Sequence, residues 1–200
     1  DVFVHDVTTG ATVRVSVDSS GNEGNSFSLD PSISADGRFV AFSGFASNLA
    51  GADSNGVNDV FVRDLQTGTT EMVSVDSGGI QGSSDSVLPS ISGDGRLVAF
   101  MSLANNLAGG DTNAAADVFV HDRQTGATEI VSVDSAGVAG WSDASFPSIS
   151  SDGRYVAFDT LTNLEGGFPN GYIDVYVHDR QTGTTELVSA DSTGAEGNGL

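Results

Sequence analysis

The sequence contains no cysteine and no lysine. Without cysteine, the chain has no disulfide framework, no thiolate metal site and no cysteine nucleophile. All 7 basic residues are arginine, whereas 27 residues are acidic, so the formal net charge is −20. Binding to nucleic acid or to an anionic membrane surface depends on positive charge that replaces counterions. The charge balance therefore excludes these partners and favours metal cations as ligands.

Long apolar runs are missing as well. No stretch approaches the roughly 20 apolar residues that a membrane span needs, and no signal-like segment opens the chain, so membrane insertion is not expected. No apolar pattern keeps the period of an α-helix, so helix should be essentially absent. With 200 residues, of which 38% are hydrophobic, the chain is still long enough to bury a sizeable core.

What the sequence does contain is an internal repeat. A hexapeptide of the form Asp-Val-Phe-Val-His-Asp starts, with small changes, at Asp1, Asp59, Asp117 and Asp174. A second block, Pro-Ser-Ile-Ser followed by Asp-Gly-Arg, starts at Pro31, Pro89 and Pro147. These spacings predict one domain built from repeats at 1–58, 59–116 and 117–173, with a partial repeat at 174–200.

Each period contains two hairpin patterns. Short apolar strands at 90–92 and 96–102 flank the turn at 93–95. Further along, strands at 118–121 and 128–133 flank a second turn. Four antiparallel strands per repeat match one blade of a β-propeller.

The turn that follows each hexapeptide ends in glycine. Turns of this kind need a residue with positive φ, which glycine adopts without steric cost. We therefore predict positive φ at Gly68, Gly126 and Gly183.

A longer consensus runs through the repeats: Pro-Ser-Ile-Ser-x-Asp-Gly-Arg-x-Val-Ala-Phe, then Asn-Leu, Asp-x-Asn, Asp-Val-Phe-Val-x-Asp and Thr-Gly-x-Thr. This consensus, which covers essentially the whole chain, resembles the repeat of the TolB-like β-propeller family. The resemblance implies an all-β propeller of four-stranded antiparallel blades, related to WD-type repeats. Such repeats are common in bacterial envelope and secreted proteins, so an extracellular, cell-surface or periplasmic location is expected. The fold alone implies no activity.

The hairpins do not add up to a whole number of blades. The hairpin that begins with the hexapeptide occurs four times and the hairpin that begins with Pro-Ser-Ile-Ser occurs three times, which makes 14 strands, or about three and a half blades. Closed propellers have about four to eight. We therefore predict that residues 1–200 form no closed, self-sufficient ring. They should belong to a longer chain or be completed by strands from another molecule.

The loop between the two hairpins of a blade carries the pattern Asp-x-Asn-x-x-x-Asp. The candidate metal ligands are Asp53, Asn55, Asp59, Asp111, Asn113 and Asp117. Calcium prefers about six to eight oxygen ligands, and alternate oxygen-bearing residues of a tight loop can converge on one point. The third loop, at 167–174, lacks the first carboxylate and contains a proline, so its site should be weak or absent. Alternatively, these residues form Asx turns and cap loop amides.

Two other repeated features favour structural roles. The loop that follows each blade, such as 76–82, has spaced glycines but leads to another strand, so a flexible crossover is expected rather than an anion site. Three histidines share one repeat position with Arg63. A catalytic histidine should not be interchangeable with arginine, which favours a partly exposed strand side chain.

Arginine also recurs just after the Asp-Gly turn, at Arg38, Arg96 and Arg154. These arginines are predicted to pair with nearby acids on the surface. Trp141 is the single tryptophan. It would mark a ligand or partner surface if it is exposed, or pack against a neighbouring blade if it is buried.

Motifs of common enzymes are absent: there is no Gly-x-Ser-x-Gly elbow, no His-Glu-x-x-His helix, no P-loop and no dinucleotide fingerprint. The favoured interpretation is a non-catalytic extracellular module that binds calcium in its inter-hairpin loops and serves as a structural or protein-interaction scaffold. Its partner would be a protein or further copies of the repeat. Two alternatives are an accessory propeller of a secreted hydrolase and a subunit of an extracellular filament or surface layer.

Overall fold

A computed structural model describes residues 1–51, 53–166 and 171–193. The described residues form 14 β-strands. They contain no helix with the length and apolar character needed to cross a membrane. The predicted all-β fold of antiparallel four-stranded units is confirmed.

The strands form a two-stranded N-terminal hairpin followed by three four-stranded sheets. The N-terminal hairpin contains β1 (Phe3–His5) and β2 (Thr12–Arg14). Sheet 1 contains β3 (Ser28–Ile33), β4 (Phe39–Gly44), β5 (Asp59–Asp64) and β6 (Thr69–Met72). Sheet 2 contains β7 (Ser86–Ile91), β8 (Leu97–Ser102), β9 (Asp117–Asp122) and β10 (Thr128–Ile130). Sheet 3 contains β11 (Ala144–Ile149), β12 (Tyr155–Thr160), β13 (Asp174–Asp179) and β14 (Thr184–Leu187). Within each sheet, consecutive strands pair in chain order, so every sheet takes its two hairpins from successive repeats.

The first strand of each sheet is longer than predicted. β7 begins at Ser86 rather than at residue 90. Leu88 adopts a φ of 55°, and the pairing of β7 with β8 shifts between Val87 and Ser90. This β-bulge, on an edge strand, accommodates Pro89, which has no N–H to donate to a ladder. The proline therefore lies inside the strand instead of preceding it.

The prediction for the turn that follows each hexapeptide is confirmed. Gly68, Gly126 and Gly183 have φ values of 72°, 76° and 74°. The N–H of each glycine donates to the carbonyl of the aspartate four residues earlier, at 2.7–2.9 Å. Positive φ is what lets the chain close this turn.

The sheets pack face to face through three apolar clusters. These clusters join the N-terminal hairpin to sheet 1, sheet 1 to sheet 2, and sheet 2 to sheet 3. They include Val15 with Phe42, Val62 with Phe100, and Val120 with Phe158. None of the three clusters contains residues of both the N-terminal hairpin and sheet 3. The described residues therefore form an open series of about three and a half blades. That the chain is not self-sufficient as a monomer stays a prediction.

Candidate functional site

The two inter-hairpin loops that carry the metal pattern have the same hydrogen bonds. In the second loop, Asn113 Nδ2 donates to Asp117 Oδ2 at 2.8 Å and to the Gly140 carbonyl at 2.7 Å. Asn113 Oδ1 accepts the N–H of Ala115 at 2.9 Å. The first loop repeats this arrangement around Asn55. The predicted Asx turns are confirmed, and the asparagine and the final aspartate of each pattern lie together.

The final aspartate of each pattern is buried at the start of a strand. Asp59 opens β5 and Asp117 opens β9, and both are 0% exposed. One carboxylate oxygen of each accepts a hydroxyl, from Ser74 and Ser132 respectively, at 2.6 Å. Burial raises the pKa of Asp59 to about 6 and also raises the pKa of Asp117, because water no longer solvates the charged form. A cation beside either carboxylate would therefore be stabilising.

The first aspartate of the second loop has an unsatisfied acceptor. Asp111 is only 8% exposed, and its Oδ1 is buried with no hydrogen-bond partner among the described residues. Burial raises the pKa of Asp111, and the neighbouring Asp111 charge adds to the effect of burial on the pKa of Asp117. The equivalent Asp53 of the first loop is half-buried, and burial raises its pKa as well.

The residue types of the second loop fit a hard cation, which prefers carboxylate, amide and carbonyl oxygens. The described part of the chain contains no group of three or more histidine, aspartate or glutamate side chains placed to hold a metal ion. A cation would therefore need the Asn113 amide and the Gly140 carbonyl beside Asp111 and Asp117. Asn113 would have to turn its amide oxygen towards the ion. The third loop's candidate positions 167–170 lie outside the described residues.

The repeated arginines pair with aspartates as predicted. Arg96 Nε and Nη2 donate to the two carboxylate oxygens of Asp122 at 2.9 and 2.6 Å. The equivalent pairs are Arg38 with Asp64 and Arg154 with Asp179. The hydrogen bonds from arginine hold the pKa of all three aspartates well below the usual range. The aspartates are buried, so these pairs are only partly on the surface.

Two of the three histidines are buried, so the prediction of a partly exposed side chain is wrong for them. His121 and His178 are 6% and 7% exposed, whereas His5 is exposed. The crossover loop of the preceding sheet binds the threonines that accept from the two buried histidines, Thr128 in β10 and Thr185 in β14. The N-terminal hairpin has no preceding sheet among the described residues, and His5 stays open to water.

Hydrogen bonding fixes the tautomer of the buried histidines. His121 Nδ1 lies 2.8 Å from Thr128 Oγ1, and the same hydroxyl donates to the Val75 carbonyl. A hydroxyl has one proton, so Thr128 can only accept from His121, which must carry its proton on Nδ1. Arg63, which is always a donor, makes the equivalent bond to Thr70 at 3.0 Å.

The crossover loops bind the following sheet instead of merely leading to it. Thr128 in β10 donates through its N–H to Ser77 Oγ at 2.9 Å and through its hydroxyl to the Val75 carbonyl. The same contact, which we call the threonine clasp, joins Ser19 to Thr70 and Ser135 to Thr185. The predicted crossover route is confirmed.

An aspartate of the same loop already occupies N–H donors that an anion could use. Asp76 Oδ1 accepts the N–H groups of Gly78 and Ile80, both at 2.8 Å. The carboxylate of the loop itself therefore takes the place that an anion would need.

A second contact between sheets, which we call the arginine strap, was missed by sequence reasoning. Arg123 Nε donates to Glu71 of sheet 1 at 2.6 Å, and its guanidinium lies 4.4 Å from the Phe39 ring centroid. Arg180 makes the same ion pair with Glu129 of sheet 2, also at 2.6 Å. The recurrence of Glu and Arg at these positions one period apart was the available signal.

Trp141 is 62% exposed on the crossover loop between sheets 2 and 3. Val138, on the same loop, is 61% exposed. The interpretation of Trp141 as a side chain buried against a neighbouring blade is therefore wrong. Two exposed apolar side chains on one short loop agree with the other interpretation, a partner surface.

No family model and no curated protein sequence matches the chain. Among solved structures, it is similar to TolB from Acinetobacter baumannii, at 20% identity and a TM-score of 0.54, over 92% of this chain and 36% of that one. It is similar to an oligogalacturonate lyase in complex with manganese, at 12% identity and a TM-score of 0.58, over 92% and 46% of the two chains. A third similar structure is the β-propeller domain of the Trilobed protease from Pyrococcus furiosus, which has an open velcro topology. There the identity is 18% and the TM-score 0.51, over 82% and 42% of the two chains.

These similarities establish the class of fold: the three sheets are blades of a β-propeller, and the N-terminal hairpin is half of a blade. The resemblance predicted from the repeat is confirmed at the level of the fold. The chain spans less than half the length of the three solved chains. A TolB protein, a lyase and a protease domain share this fold, so it does not choose between catalytic and non-catalytic roles.

Proposed function

We propose that the chain is a non-catalytic β-propeller module that serves as a structural or protein-interaction scaffold at the cell surface, in the periplasm or outside the cell. One observation supports this proposal above others. The buried ionisable side chains of the strands recur at equivalent positions from sheet to sheet, and their partners lie within the protein. The bidentate pairs of Asp64, Asp122 and Asp179 are the clearest case. A catalytic site would break this symmetry, because it occurs once in a protein.

An activity screen tests this proposal. The purified chain is incubated with fluorogenic peptide, ester and glycoside substrates, and no turnover above the buffer rate is expected. The matched controls are His121→Gln and Asp122→Asn. Turnover that disappears in either variant would contradict the scaffold function.

A second candidate function is the recognition propeller of a secreted hydrolase. The likeness to the Trilobed protease domain favours it, although at a TM-score of 0.51 it is a likeness of fold. A subunit of an extracellular filament or surface layer is the third candidate. A recognition propeller should bind the substrate of its hydrolase, whereas a filament subunit should polymerise. Peptide-array binding and sedimentation distinguish the two.

We also propose that the inter-hairpin loops bind calcium, with Asp111, Asn113 and Asp117 as the stronger set and Asp53, Asn55 and Asp59 as the weaker one. The buried, unpartnered Oδ1 of Asp111 supports the difference between the sets. An unpaired buried carboxylate oxygen is costly, and a cation beside it would remove that cost. In this role calcium would be structural, since it would tie the inter-hairpin loop to the carbonyl of Gly140.

Thermal melting in excess calcium against a chelator tests the metal proposal. A free calcium concentration of about 100 times the dissociation constant adds about 2.7 kcal/mol to stability. For a chain of this size, that corresponds to a rise of about 5–10 °C in melting temperature. Asp111→Asn should abolish most of the rise. Asp134→Asn, the same charge change in a crossover loop, should keep it. An unchanged melting temperature in the unsubstituted chain would rule out the site.

A further inference from the structure

The outward face of sheet 3 is the face that points away from sheet 2, and it is exposed. The equivalent faces of sheets 1 and 2 are each buried by the following sheet. In sheets 1 and 2, the following sheet covers Val60 and Val118, which are 0% exposed, but their counterpart Val175 is 39% exposed. Likewise, Val131 is 1% exposed and its counterpart Val188 is 50% exposed. The contrast identifies this face as a continuation of the established interface between sheets.

The same face also carries the glutamate of an arginine strap, without the arginine. Glu71 and Glu129 each bind an arginine of the following sheet. Glu186 holds the equivalent place in β14 and is exposed, with no ion pair among the described residues. Tyr155 holds the place of Phe39, on which Arg123 packs.

The acceptor positions of a threonine clasp are present as well. In the clasps of sheets 1 to 3, the acceptors are the carbonyls of Val17, Val75 and Val133 and the hydroxyls of Ser19, Ser77 and Ser135. One period later, these places are held by Ala190 and Ser192. The face therefore combines uncovered valines, a strap acceptor and two clasp acceptors in the order used inside the protein.

We propose that the outward face of sheet 3 is a docking surface for another sheet of the same repeat type, selected by an arginine at the position of Arg123 and Arg180. This partner must also have threonine in its outermost strand, because the clasp needs a hydroxyl donor. It must have glycine in its Asp-Gly turn, because Gly95 and Gly153 lie directly against the preceding sheet. The proposal rests on the scaffold function and names the chemistry of its partner.

A second copy of this chain does not fit the description. Its N-terminal hairpin has Thr12 for the clasp but Val7 at the strap position, and Val7 is 90% exposed. An apolar side chain cannot pair with Glu186. Charge complementarity therefore favours an arginine-bearing sheet over self-association.

The test extends the full chain with one more sheet. A copy of residues 144–193 attached after Leu200 keeps the period of 57 residues. We expect the amides of β14 to exchange at least tenfold more slowly in the extended chain than in the unextended one. Replacing the copy of Arg180 in the attached sheet by valine should remove most of this protection. The variant Glu186→Gln in the original sheet should lose a similar part, and both changes together should lose little more than either alone.

Two controls keep the test decisive. Glu23→Gln, the same substitution at the opposite end of the molecule, should leave the protection of β14 unchanged. Near-ultraviolet circular dichroism shows whether each variant is folded, and Glu186 is exposed, so its substitution should not unfold the chain. Protection that is absent, or that is equal with and without the arginine, overturns the proposal. So does concentration-dependent dimerisation of the unextended chain that Glu186→Gln abolishes, because the occupant would then be a second copy. None of these outcomes bears on turnover, which tests the scaffold function separately.

Discussion

Three glycines occupy the same place in successive Asp-Gly-Arg turns but have different surroundings. Gly37, Gly95 and Gly153 have φ values of 73°, 72° and 73°, so alanine at each should suffer the same backbone strain, about 1–2 kcal/mol. Nothing lies within 4 Å of a Cβ added at Gly37. A Cβ at Gly95 would lie 2.6 Å from Cγ of Phe39, and one at Gly153 would overlap the Cδ1 end of Leu97. The series thus separates backbone strain from interference between sheets.

The size of the second effect depends on whether the neighbour can move. Phe39 has little room to move, because the guanidinium groups of Arg38 and Arg123 lie 4.6 and 4.4 Å from its ring centroid. Overpacking a close-packed interface costs about 1–3 kcal/mol. We therefore expect Gly95→Ala to lower the free energy of unfolding by about 2–5 kcal/mol in all. For Gly37→Ala we expect about 1–2 kcal/mol. Gly153→Ala should fall between them, because the end of a leucine side chain can rotate away.

Urea unfolding followed by circular dichroism measures the three values. The double variant Phe39→Ala/Gly95→Ala measures the coupling between the two residues. In a chain that lacks the Phe39 ring, Gly95→Ala should lower the free energy of unfolding by no more than Gly37→Ala does. Equal losses for Gly37→Ala and Gly95→Ala would refute the reasoning, since they would mean that sheets 1 and 2 do not pack through this turn.

Two further predictions concern buried polar groups. The pKa of Asp59 is raised to about 6, above the value of about 3.9 in an unfolded chain, so the folded state binds an extra proton between these pH values. This group should therefore stabilise the protein by up to about 3 kcal/mol as the pH falls from about 7 to 4, and lose that contribution as the pH rises through 6. Urea unfolding across this pH range measures the free energy of unfolding of the unsubstituted chain and of Asp59→Asn. The value for the unsubstituted chain minus the value for the variant must fall as the pH rises if Asp59 is buried as described. Thr128→Val should cost about 1–3 kcal/mol, because it leaves the Val75 carbonyl and His121 without partners. Thr12→Val, on the N-terminal hairpin, where no described residue supplies a carbonyl to the hydroxyl, should change the same unfolding curve little, and equal costs would argue against the clasp.

Features set by a few neighbouring residues were predictable from the sequence. The positive φ at Gly126 follows from turn chemistry within five residues, and the repeat shows that the same turn recurs. The start of β7 was not predictable in the same way, because Pro89 indicates the end of a strand. The strand continues through it only because Leu88 adopts a φ of 55° and forms a bulge on the edge of the sheet.

In the candidate site, too, contacts within one loop were predictable from the sequence and contacts with distant residues were not. Asn113 and Asp117 are four residues apart on one loop, so their proximity could be predicted. The orientation of the Asn113 amide could not, because it depends on the Gly140 carbonyl, 27 residues further along. The hydrogen-bonding role of His121 likewise depends on the Val75 carbonyl, which takes the hydroxyl proton of Thr128 and lies 53 residues earlier than Thr128 in the chain. Sequence patterns therefore place residues on loops and strands, while contacts between sheets decide exposure and hydrogen bonding.

The exchange of histidine for arginine at one repeat position shows what that position does. In the clasp, the threonine hydroxyl gives its proton to a carbonyl of the preceding sheet, so the residue opposite must donate. Arg63 always donates, and His121 donates in the tautomer with its proton on Nδ1. Burial lowers the pKa of His121, which keeps the ring neutral and in this donor role near neutral pH. Two side chains of different charge are thus interchangeable because the site requires a hydrogen-bond donor and no proton transfer. Catalysis by acid or base would require the proton transfer, and arginine could not supply it.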